Sequence, residues 1–253
     1  MNKKQFETFS ILYCGDDSLK QSARYLHGVV DYLGFKITYV PSRRQLKSRD
    51  LRKEYSLIII SDYPSKMISK ESEELIPSEI AQGTRFLLIG GWGSFHGYDG
   101  NYQQTKLAKV LPVQCLSGDD RVNCMQGAVI IPARQASLLW KGLQFARGPL
   151  IGGYNKVKLK KGSRVLLTAR DLQIDLPDLR LAKKEYPLLV TGMYGFGSTA
   201  GYMSDLAPHW SGGLVDWGKK KIKIKSVSGH FMEVGQNYVL FVKTLVELVI
   251  ARR

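Results

Sequence analysis

The 253-residue sequence lacks long apolar runs. No stretch approaches the roughly 18 consecutive apolar residues of a membrane-spanning helix, and the opening MNKKQFETF lacks the apolar run of a signal peptide. We therefore expect a cytoplasmic chain with no membrane partner. A hydrophobic content of 44% and a charged content of 23% are typical of an ordinary globular protein rather than a disordered one.

Cysteine is scarce, with three in the whole chain: Cys14, Cys115 and Cys124. An odd number of cysteines without metal-ligand spacing predicts neither a disulfide framework nor a zinc site. We expect reduced thiols, with Cys14 buried in a strand, and we predict no bound metal.

Acidic residues are outnumbered: 22 Asp and Glu stand against 37 Lys and Arg, which gives a net charge of +15. A basic surface attracts polyanions whatever the fold. The basic residues are nevertheless spread along the chain, with dense runs only at 156–161 and 219–225, and no zinc finger, RRM signature or basic helix accompanies them. Nucleic acid is therefore an unlikely partner, and binding through the lysine runs is kept as a minor hypothesis.

The lysine run at 219–225 has the period of a strand. Lysines at 219, 221, 223 and 225 alternate with Lys220, Ile222 and Ile224, so that one face is charged and the other largely apolar. We expect this strand to extend the sheet or its antiparallel part, with the isoleucines buried against a neighbouring layer or a second subunit. Self-association near this strand is the prediction.

The first ninety residues alternate between strand and helix patterns. Strands are predicted at 10–14, 35–40, 55–61 and 85–90, and helices at 19–33 and 69–82. Asp16, Asp17 and Ser18 are candidate caps of the first helix. This β-α-β-β-α-β order predicts a doubly wound, mostly parallel α/β sheet with helices on both faces.

The alternation is lost between about 113 and 187, where Gly, Asp and Pro interrupt short apolar runs. We interpret this region as a β-rich, mostly antiparallel insertion within a single domain that spans 1–253. Segments 188–194 and 199–203 then predict a hairpin joined by Gly195-Phe196-Gly197. A closing amphipathic helix carries Tyr238, Phe241, Leu245, Leu248 and Val249.

Ligands of open α/β sheets bind beyond the carboxyl ends of the strands. Asp62 follows the third strand, and Gly90, Gly91, Trp92 and Gly93 follow the fourth. The glycine amides are a candidate anion nest, but the stretch matches neither a P-loop nor the dinucleotide fingerprint, so no cofactor is predicted. The tryptophan either stacks on a ring, sugar or base, or plugs the cleft.

Two further groups of residues are candidates for chemistry. Ser94 and His96 loosely resemble a serine nucleophile with a nearby base, but the closing glycine is missing, so a helix-capping serine and a loop-shaping histidine are favoured. Asp205 and His209 follow a strand predicted to end near 203, where they would act as acid and base or hold a metal. Alternatively, Asp205 or the preceding serine caps the next turn and His209 packs there with Trp210.

The stretches LLIGGWGSFHGYDGNY, KVLPVQCLSGDDRV and YGFGSTAGYMSDLAPHW are the basis of a resemblance. In order and spacing they resemble the glutamine amidotransferase-like family of flavodoxin-like domains. The resemblance implies a class I amidotransferase fold, a sheet flanked by helices with an antiparallel excursion before its end. It says little about activity, because function resides in the site.

Working class I amidotransferases use a cysteine at a strained strand-to-helix elbow, activated by a histidine and a glutamate. Laid against that elbow, the nucleophile position of this sequence falls at Gly91, and no cysteine replaces it. The His-x-Glu pair is absent too, because His209 is followed by Trp210 and Ser211. Glutamine hydrolysis is therefore not expected.

Two functions stay open. The first is a non-catalytic domain that binds a small molecule or a protein partner at the carboxyl edge of the sheet. The second is a hydrolase or lyase acting on a small polar substrate through Asp205, His209 and His96, although no catalytic residue is assigned. The predicted ligand-binding residues are Asp62, Gly90, Gly91, Trp92, Ser94, Asp205, His209 and Trp210.

Overall fold

The computed structural model describes residues 9–225 and 231–251, in which a ten-stranded sheet is accompanied by two small two-stranded ladders. The strands are β1 Ser10–Gly15, β2 Lys36–Val40, β3 Leu57–Ser61, β4 Arg85–Ile89, β5 Val113–Cys115, β6 Arg121–Pro132, β7 Leu150–Asn155, β8 Val157–Leu159, β9 Arg164–Asp175, β10 Asp178–Leu181, β11 Tyr186–Tyr194, β12 Gly197–Tyr202, β13 Lys221–Lys225 and β14 Phe231–Gly235. The α-helices are α1 Ala23–Tyr32, α2 Lys70–Ala81, α3 Pro208–Ser211 and α4 Gln236–Ile250.

Strand order in the large sheet is β2-β1-β3-β4-β12-β11-β9-β6-β7, and β10 pairs with β9. The first five strands in this order are parallel to their neighbours, and every pair beyond β12 is antiparallel. The mixed α/β class and the early alternation of strands and helices are thus confirmed. Most strands of the region 113–187 continue this same sheet, and only β5 and β8 pair apart from it.

The parallel strands are covered on both faces, which explains their continuous apolar sequences. Alternate side chains point to opposite faces, because the side-chain period of a strand is two. Tyr13 and Ile59 join the core that includes α1 and α4, whereas Cys14 and Ile60 join the core that includes Ile76 of α2. Burial of Cys14 is as predicted. Among the described residues, no helix has the length and apolar character needed to cross a membrane.

The first helix begins later than its predicted caps. Helix α1 starts at Ala23, and Asp16 and Asp17 have left-handed backbones with φ of 51° and 56°. The carboxylate of Asp16 accepts a hydrogen bond from the Tyr13 hydroxyl, and the Asp17 amide donates to Ser42 Oγ at 2.9 Å. These aspartates close a loop instead of capping a helix, because their side chains and amides already have partners elsewhere.

The hairpin of β11 and β12 forms as predicted, with Tyr194 opposite Gly197. The basic run does not extend the large sheet, contrary to expectation. Strand β13 pairs with β14 in a separate hairpin, where Ile224 is 2% exposed and packs with Met232 over Gly28 of α1. Burial of the isoleucine is satisfied within the same chain, and self-association stays a prediction.

Candidate functional site

Parallel pairing places three strand-end aspartates at one edge of the sheet. Gly15 lies opposite Ser61, Ser61 opposite Ile89, and Ile89 opposite Tyr202, so strands β1, β3, β4 and β12 end at the same level. The residues that follow those ends include Asp16, Asp62, Gly90 and Asp205. The site therefore forms where open α/β sheets collect their loops.

Two adjoining depressions open at this edge. One, of about 560 Å³, is lined by Asp62, Gly91, Trp92, Asn123, Asp205, His209 and Trp210. The other, of about 530 Å³, shares Asp62, Trp92 and His209 with it and reaches Asp16, Asp17 and Tyr98. We call the two together the carboxyl-edge cleft. The structure thus brings together six of the eight predicted ligand-binding residues.

Gly90, Ser94 and His96 lie outside this cleft. Ser94 is fully buried, and its Oγ accepts a hydrogen bond from the Asp62 amide at 3.1 Å. It caps no helix, because the chain from 91 to 100 consists of turns and bends. The His96 amide donates to the Asp120 carboxylate at 2.9 Å, which holds the histidine beside that aspartate rather than at the cleft.

The glycine amides after β4 are already occupied, so the predicted anion nest is wrong. Gly90 donates to the Tyr202 carbonyl at 2.7 Å, and Gly91 donates to Asn155 Oδ1 at 3.0 Å. The Gly93 amide donates to the carboxylate of Asp62. An aspartate of the chain itself takes the place that an external anion would need.

Gly91 is held where no other residue fits. Its φ is +148°, and an added Cβ atom would lie 2.7 Å from Asp62 Oδ1. That backbone conformation strains any side chain, and the contact is below van der Waals distance. A cysteine at this position would collide with the carboxylate that orders the loop.

The three cysteines lie elsewhere and have poorly ionised thiols. Cys14 is fully buried in the core beside α2, and burial raises its pKa far above the usual range. Burial also raises the pKa of Cys115 and of Cys124 to about 12. Because the thiolate is the nucleophile, burial disfavours the reactive form of all three.

Asn155, at the end of β7, joins the loop after β4 to the antiparallel part of the sheet. Its Nδ2 donates to Asp120 Oδ1 at 2.8 Å and to the Gly91 carbonyl at 3.2 Å, in addition to the contact with the Gly91 amide. The Asp120 carboxylate also accepts from the Gly97 amide at 2.9 Å. Sequence reasoning missed this asparagine because no local motif marks it: its partner Gly91 is 64 positions away.

Trp92 stands at the mouth of the cleft and does not plug it. The residue is 52% exposed, and the Arg121 guanidinium lies 4.3 Å from its ring centroid. Arg121 is held in turn by Asp119, with an ion-pair distance of 2.7 Å. On the inner wall, Trp210 Nε1 donates to Asn123 Oδ1 at 2.9 Å. Two indole rings are thus fixed at the cleft, one exposed and one buried.

Burial raises the pKa of three aspartates of the cleft. Burial, and then the charge of Asp62, raise the pKa of Asp16 to about 7. Burial and the charge of Asp16 raise the pKa of Asp205 well above its usual range. Burial raises the pKa of Asp62 as well, against the opposing effects of the Gly93 amide and His209. Among the described residues, no lysine or arginine lines the cleft to stabilise three carboxylates.

Asp205 serves two purposes. Its Oδ1 accepts a hydrogen bond from the Ala207 amide at 2.8 Å, so it caps the turn before α3, which was the alternative prediction. It also lines the cleft with His209. Within 9–225 and 231–251, no group of three or more His, Cys, Asp or Glu side chains has an arrangement that could hold a metal ion.

A mixed sheet with a cleft at its carboxyl edge is typical of α/β proteins, whose ligands bind beyond the ends of the strands. It belongs to the glutamine amidotransferase-like family: the family described as "Putative glutamine amidotransferase" matches residues 4–228. The resemblance stated from the sequence is thereby confirmed.

Solved structures agree with this assignment. A cytoplasmic protein from Salmonella typhimurium is 25% identical, with a TM-score of 0.74, over 96% of this chain and 99% of that one. A second cytoplasmic protein, from Salmonella typhimurium LT2, is 24% identical, with a TM-score of 0.73, over 95% and 99%. A ThuA-like protein from Parabacteroides merdae shares the fold at 14% identity and a TM-score of 0.53, over 77% and 78%. No curated protein matches the chain.

Proposed function

We propose that this chain is an amidotransferase-like domain that binds a small, polar, uncharged molecule in the carboxyl-edge cleft and does not hydrolyse glutamine. One observation carries the proposal. The cleft combines the exposed ring of Trp92 and the buried ring of Trp210 with Asp62, Asp205 and Asn123, while the nucleophile position is a glycine that cannot be replaced without a clash.

The argument against glutaminase activity rests on the thiol. That mechanism needs a thiolate beside a base at the end of a strand. Gly91 occupies the position, and the pKa values of Cys14, Cys115 and Cys124 are all raised by burial, so no cysteine supplies the nucleophile. The strand-to-helix elbow is missing as well, since turns follow β4.

The lining favours a hydroxyl-rich ligand. A protonated carboxyl group donates one hydrogen bond and accepts others, and an asparagine does both, which suits hydroxyl groups that also do both. The face of Trp92 offers an apolar surface on which a sugar ring can stack. An anionic ligand would meet Asp16, Asp62 and Asp205, whereas the cations beside the cleft, Arg43, Lys66 and Arg121, are already paired with other aspartates, so a neutral ligand is favoured.

Three further features of the protein belong to the same proposal. Helices packed in both cores support a doubly wound sheet. The two similar Salmonella proteins, each described as cytoplasmic, support a cytoplasmic location. The lack of an activated thiol supports a domain without the catalytic cysteine of the working enzymes.

The test compares three sugars that share one ring and differ in charge: glucose, glucosamine and glucuronate. Isothermal titration should show saturable binding of neutral glucose, weaker binding of cationic glucosamine and none of anionic glucuronate. Trp92→Ala should weaken that binding about tenfold, through loss of a stacking surface. Phe196→Ala, an exposed aromatic at the turn between β11 and β12, is the matched control and should bind as the parent does. Glucuronate binding more tightly than glucose would contradict the proposal, as would ammonia release from glutamine that thiol alkylation abolishes.

A second candidate, a hydrolase or lyase, is favoured by one observation. Asp16 has a pKa of about 7 in the same cleft as Asp205 and His209, so a proton donor and a base would coexist near neutral pH. His96 takes no part in this version, because it lies outside the cleft. Release of nitrophenol from nitrophenyl glycosides, lost in both Asp205→Asn and His209→Gln, would establish it, and an equal rate in those variants would exclude it.

A further inference from the structure

The antiparallel part of the large sheet has an apolar face that points away from α1 and α4. Cross-strand partners share a face, and so do alternate residues of one strand. Ala128 and Ala169 face the core of α1 and α4, whereas Val129, with its partners Leu150 and Arg170, faces the other way. We call this second surface the back face. Its apolar side chains are Val129, Ile131, Leu150, Leu172, Ile174 and Leu179.

The apolar side chains of the back face are open to solvent. Leu179 is 67% exposed, Leu150 and Ile174 are each 38% exposed, and the other three are partly exposed. Within 9–225 and 231–251, none of the six belongs to or packs against either hydrophobic core. Contiguous exposed apolar patches larger than about 300 Å² mark interaction sites. The back face is therefore a candidate contact surface.

The back face is held in shape before any partner arrives. Backbone pairing of β6 with β9 ends at Ala128 and Asp171, and beyond it the Gln126 side chain continues the ladder. Its Nε2 donates to the Ile174 carbonyl at 3.0 Å, and the Ile174 amide donates to its Oε1 at 2.9 Å. The hairpin of β9 and β10 is thereby tied to β6. A preformed surface loses less conformational entropy when it binds.

Polar side chains within the back face already have partners. Thr168 Oγ1 donates to Glu185 Oε2 at 3.1 Å. Arg170 Nε donates to the Ala182 carbonyl at 2.9 Å, and its guanidinium lies 3.8 Å from Glu185 Oε1. The centre of the face is therefore apolar and close to neutral. Two copies of the chain can meet there in spite of a net charge of +15 on each.

The two ends of the back face differ in charge. The tip of the hairpin carries Asp175 and Asp178, with Arg180 at 3.8 Å from Asp175. The turn before β9 carries Lys160 and Lys161, which have no ion pair within the described parts of the chain. A two-fold axis in the plane of the face and perpendicular to the strands places each acidic tip over the basic turn of the other copy. An axis along the strands would oppose like charges.

The size of the back face suits the centre of a dimer interface. From Thr168 to Ile174, across β10, β9, β6 and β7, it covers about 450 Å² at the usual rise and spacing of strands. A standard interface buries about 800 Å² on each partner, with an apolar centre and a polar rim. The apolar side chains supply the centre, and the charged ends supply the rim.

We propose that the back face binds a second copy of this chain, sheet against sheet, in a two-fold symmetric dimer. Facing sheets of this kind pack about 10 Å apart and interdigitate their side chains. The contact is separate from the self-association predicted near β13. It does not depend on the function proposed for the carboxyl-edge cleft.

Sedimentation velocity from about 1 to 100 µM chain tests the proposal, and the parent should associate as its concentration rises. Ile174→Thr combined with Leu179→Thr should weaken this association at least about tenfold, through lost apolar burial. Threonine suits a strand, so the hairpin should stay folded, as circular dichroism can verify. Leu150→Thr, on the other side of the face, should act in the same direction.

Leu138→Thr combined with Met193→Thr is the matched control. It removes two apolar side chains that are 88% and 61% exposed outside the back face, and it should associate as the parent does. A parent that stays monomeric would leave the face to a different occupant and would overturn the proposal. Equal losses in the two double variants would overturn it as well, because they would indicate general stickiness.

An exchange of charges tests the two-fold arrangement. Asp178→Lys should weaken association severalfold, and adding Lys161→Asp in the same chain should restore it, because the contact between tip and turn is recreated with its signs reversed. Asp178 stands opposite Asp175 in the hairpin, so the lysine should not unfold it. A double variant that associates no better than Asp178→Lys alone would overturn this arrangement.

Discussion

The two edges of the sheet differ in the charge of the side chains that line their cavities. At the carboxyl edge, Asp62, Asp120 and Asn155 are bonded to the backbone of the loop after β4. At the amino edge, cations gather without acidic neighbours in the cavity wall, and Thr199 has no hydrogen-bond partner there among the described residues. The net charge of +15 is therefore unevenly distributed. One end of the strands carries an acidic cleft, and the other end carries a basic cavity of about 430 Å³.

The difference teaches how to recognise which groups are available to a ligand. Polar side chains that satisfy one another hold a loop in shape, as Asp62 does for the glycines at 91 and 93. A buried group with no hydrogen-bond partner among the described residues, such as the Thr199 hydroxyl, holds no other segment in place. Charge counts along the chain do not make this distinction, because they ignore pairing.

The largest effect should come from glycines at the two ends of β4. Both Gly91 and Gly83 have positive φ, of 148° and 122°, but only Gly91 faces a close neighbour, whereas no atom lies within 4 Å of an added Cβ at Gly83. Gly91→Ala should cost about 3 to 5 kcal/mol of unfolding free energy, and Gly83→Ala about 1. Urea unfolding measures both, and equal costs would mean that the carboxyl edge is no more tightly packed than the other.

Removing a paired group and an unpaired group should have different consequences. Asn155→Ala removes one hydrogen bond to Asp120 and leaves the Gly91 amide without its partner in a buried site, which should cost about 2 to 3 kcal/mol. Thr199→Val should change stability by less than about 0.5 kcal/mol, or increase it. Chemical denaturation of the two variants and of the parent protein measures both changes in unfolding free energy. A larger loss for Thr199→Val would reverse the comparison.

Stability should depend on pH through Asp16. Its folded pKa, about 7, lies above its ordinary value of 3.8, so folding favours the protonated form. The stabilisation is full below about pH 4 and is lost as the pH rises through about 7. Relative to the parent, Asp16→Asn should therefore gain about 1 to 3 kcal/mol between pH 4 and pH 8.

Asp119 is the control for that experiment. Its hydrogen bond with Arg121 lowers its pKa to about 2, so it stays ionised across the same range. The stability difference between Asp119→Asn and the parent should be constant from about pH 4 to pH 8. Urea unfolding at about pH 4 and pH 8 measures the difference in unfolding free energy between each variant and the parent. If this difference does not change with pH for Asp16→Asn, the aspartate is ionised in the folded protein.

The smallest effect concerns single cations at the two edges. Arg121 is held by Asp119 and stacks on Trp92, so Arg121→Gln should cost about 0.5 to 1 kcal/mol and change the tryptophan fluorescence. Lys161→Gln should cost nothing measurable, because this lysine has no ion pair among the described residues and stands beside other cations. A measurable cost for Lys161→Gln would show that it has a structural partner.

Much of the fold and part of the site could be predicted from local patterns. The apolar runs at β1, β3 and β4 and the period of α4 depend on neighbouring residues in the chain, and all were found. Asp62, Trp92, Asp205 and His209 were predicted to share a cleft because parallel strands bring their carboxyl ends to one edge, and they do. The family was evident from three stretches of sequence.

Self-association near β13 is still a prediction, and its test must leave the hairpin of β13 and β14 folded. Ile224 is buried against the protein's own helix, so lysine at that position would unfold the hairpin. Exposed Phe231 of β14 is the better choice, at 70% exposure. Sedimentation of Phe231→Ser should show a smaller species than the parent, and two monomers would exclude a contact at this hairpin.

Sequence alone determined which segments become strands and helices, which family the chain belongs to, and which residues follow the strand ends, because each depends on periodicity or on a contiguous motif. Tertiary structure decided which of those residues are hydrogen-bonded within the chain and which are available to a ligand. Asp62 accepts the hydrogen bond of the Gly93 amide from 31 positions away, and Asn155 accepts that of Gly91 from 64. Lys160 Nζ reaches the Ala108 carbonyl from 52 positions away. Partners so distant in the chain leave no local signal, since a hydrogen bond depends on position in space.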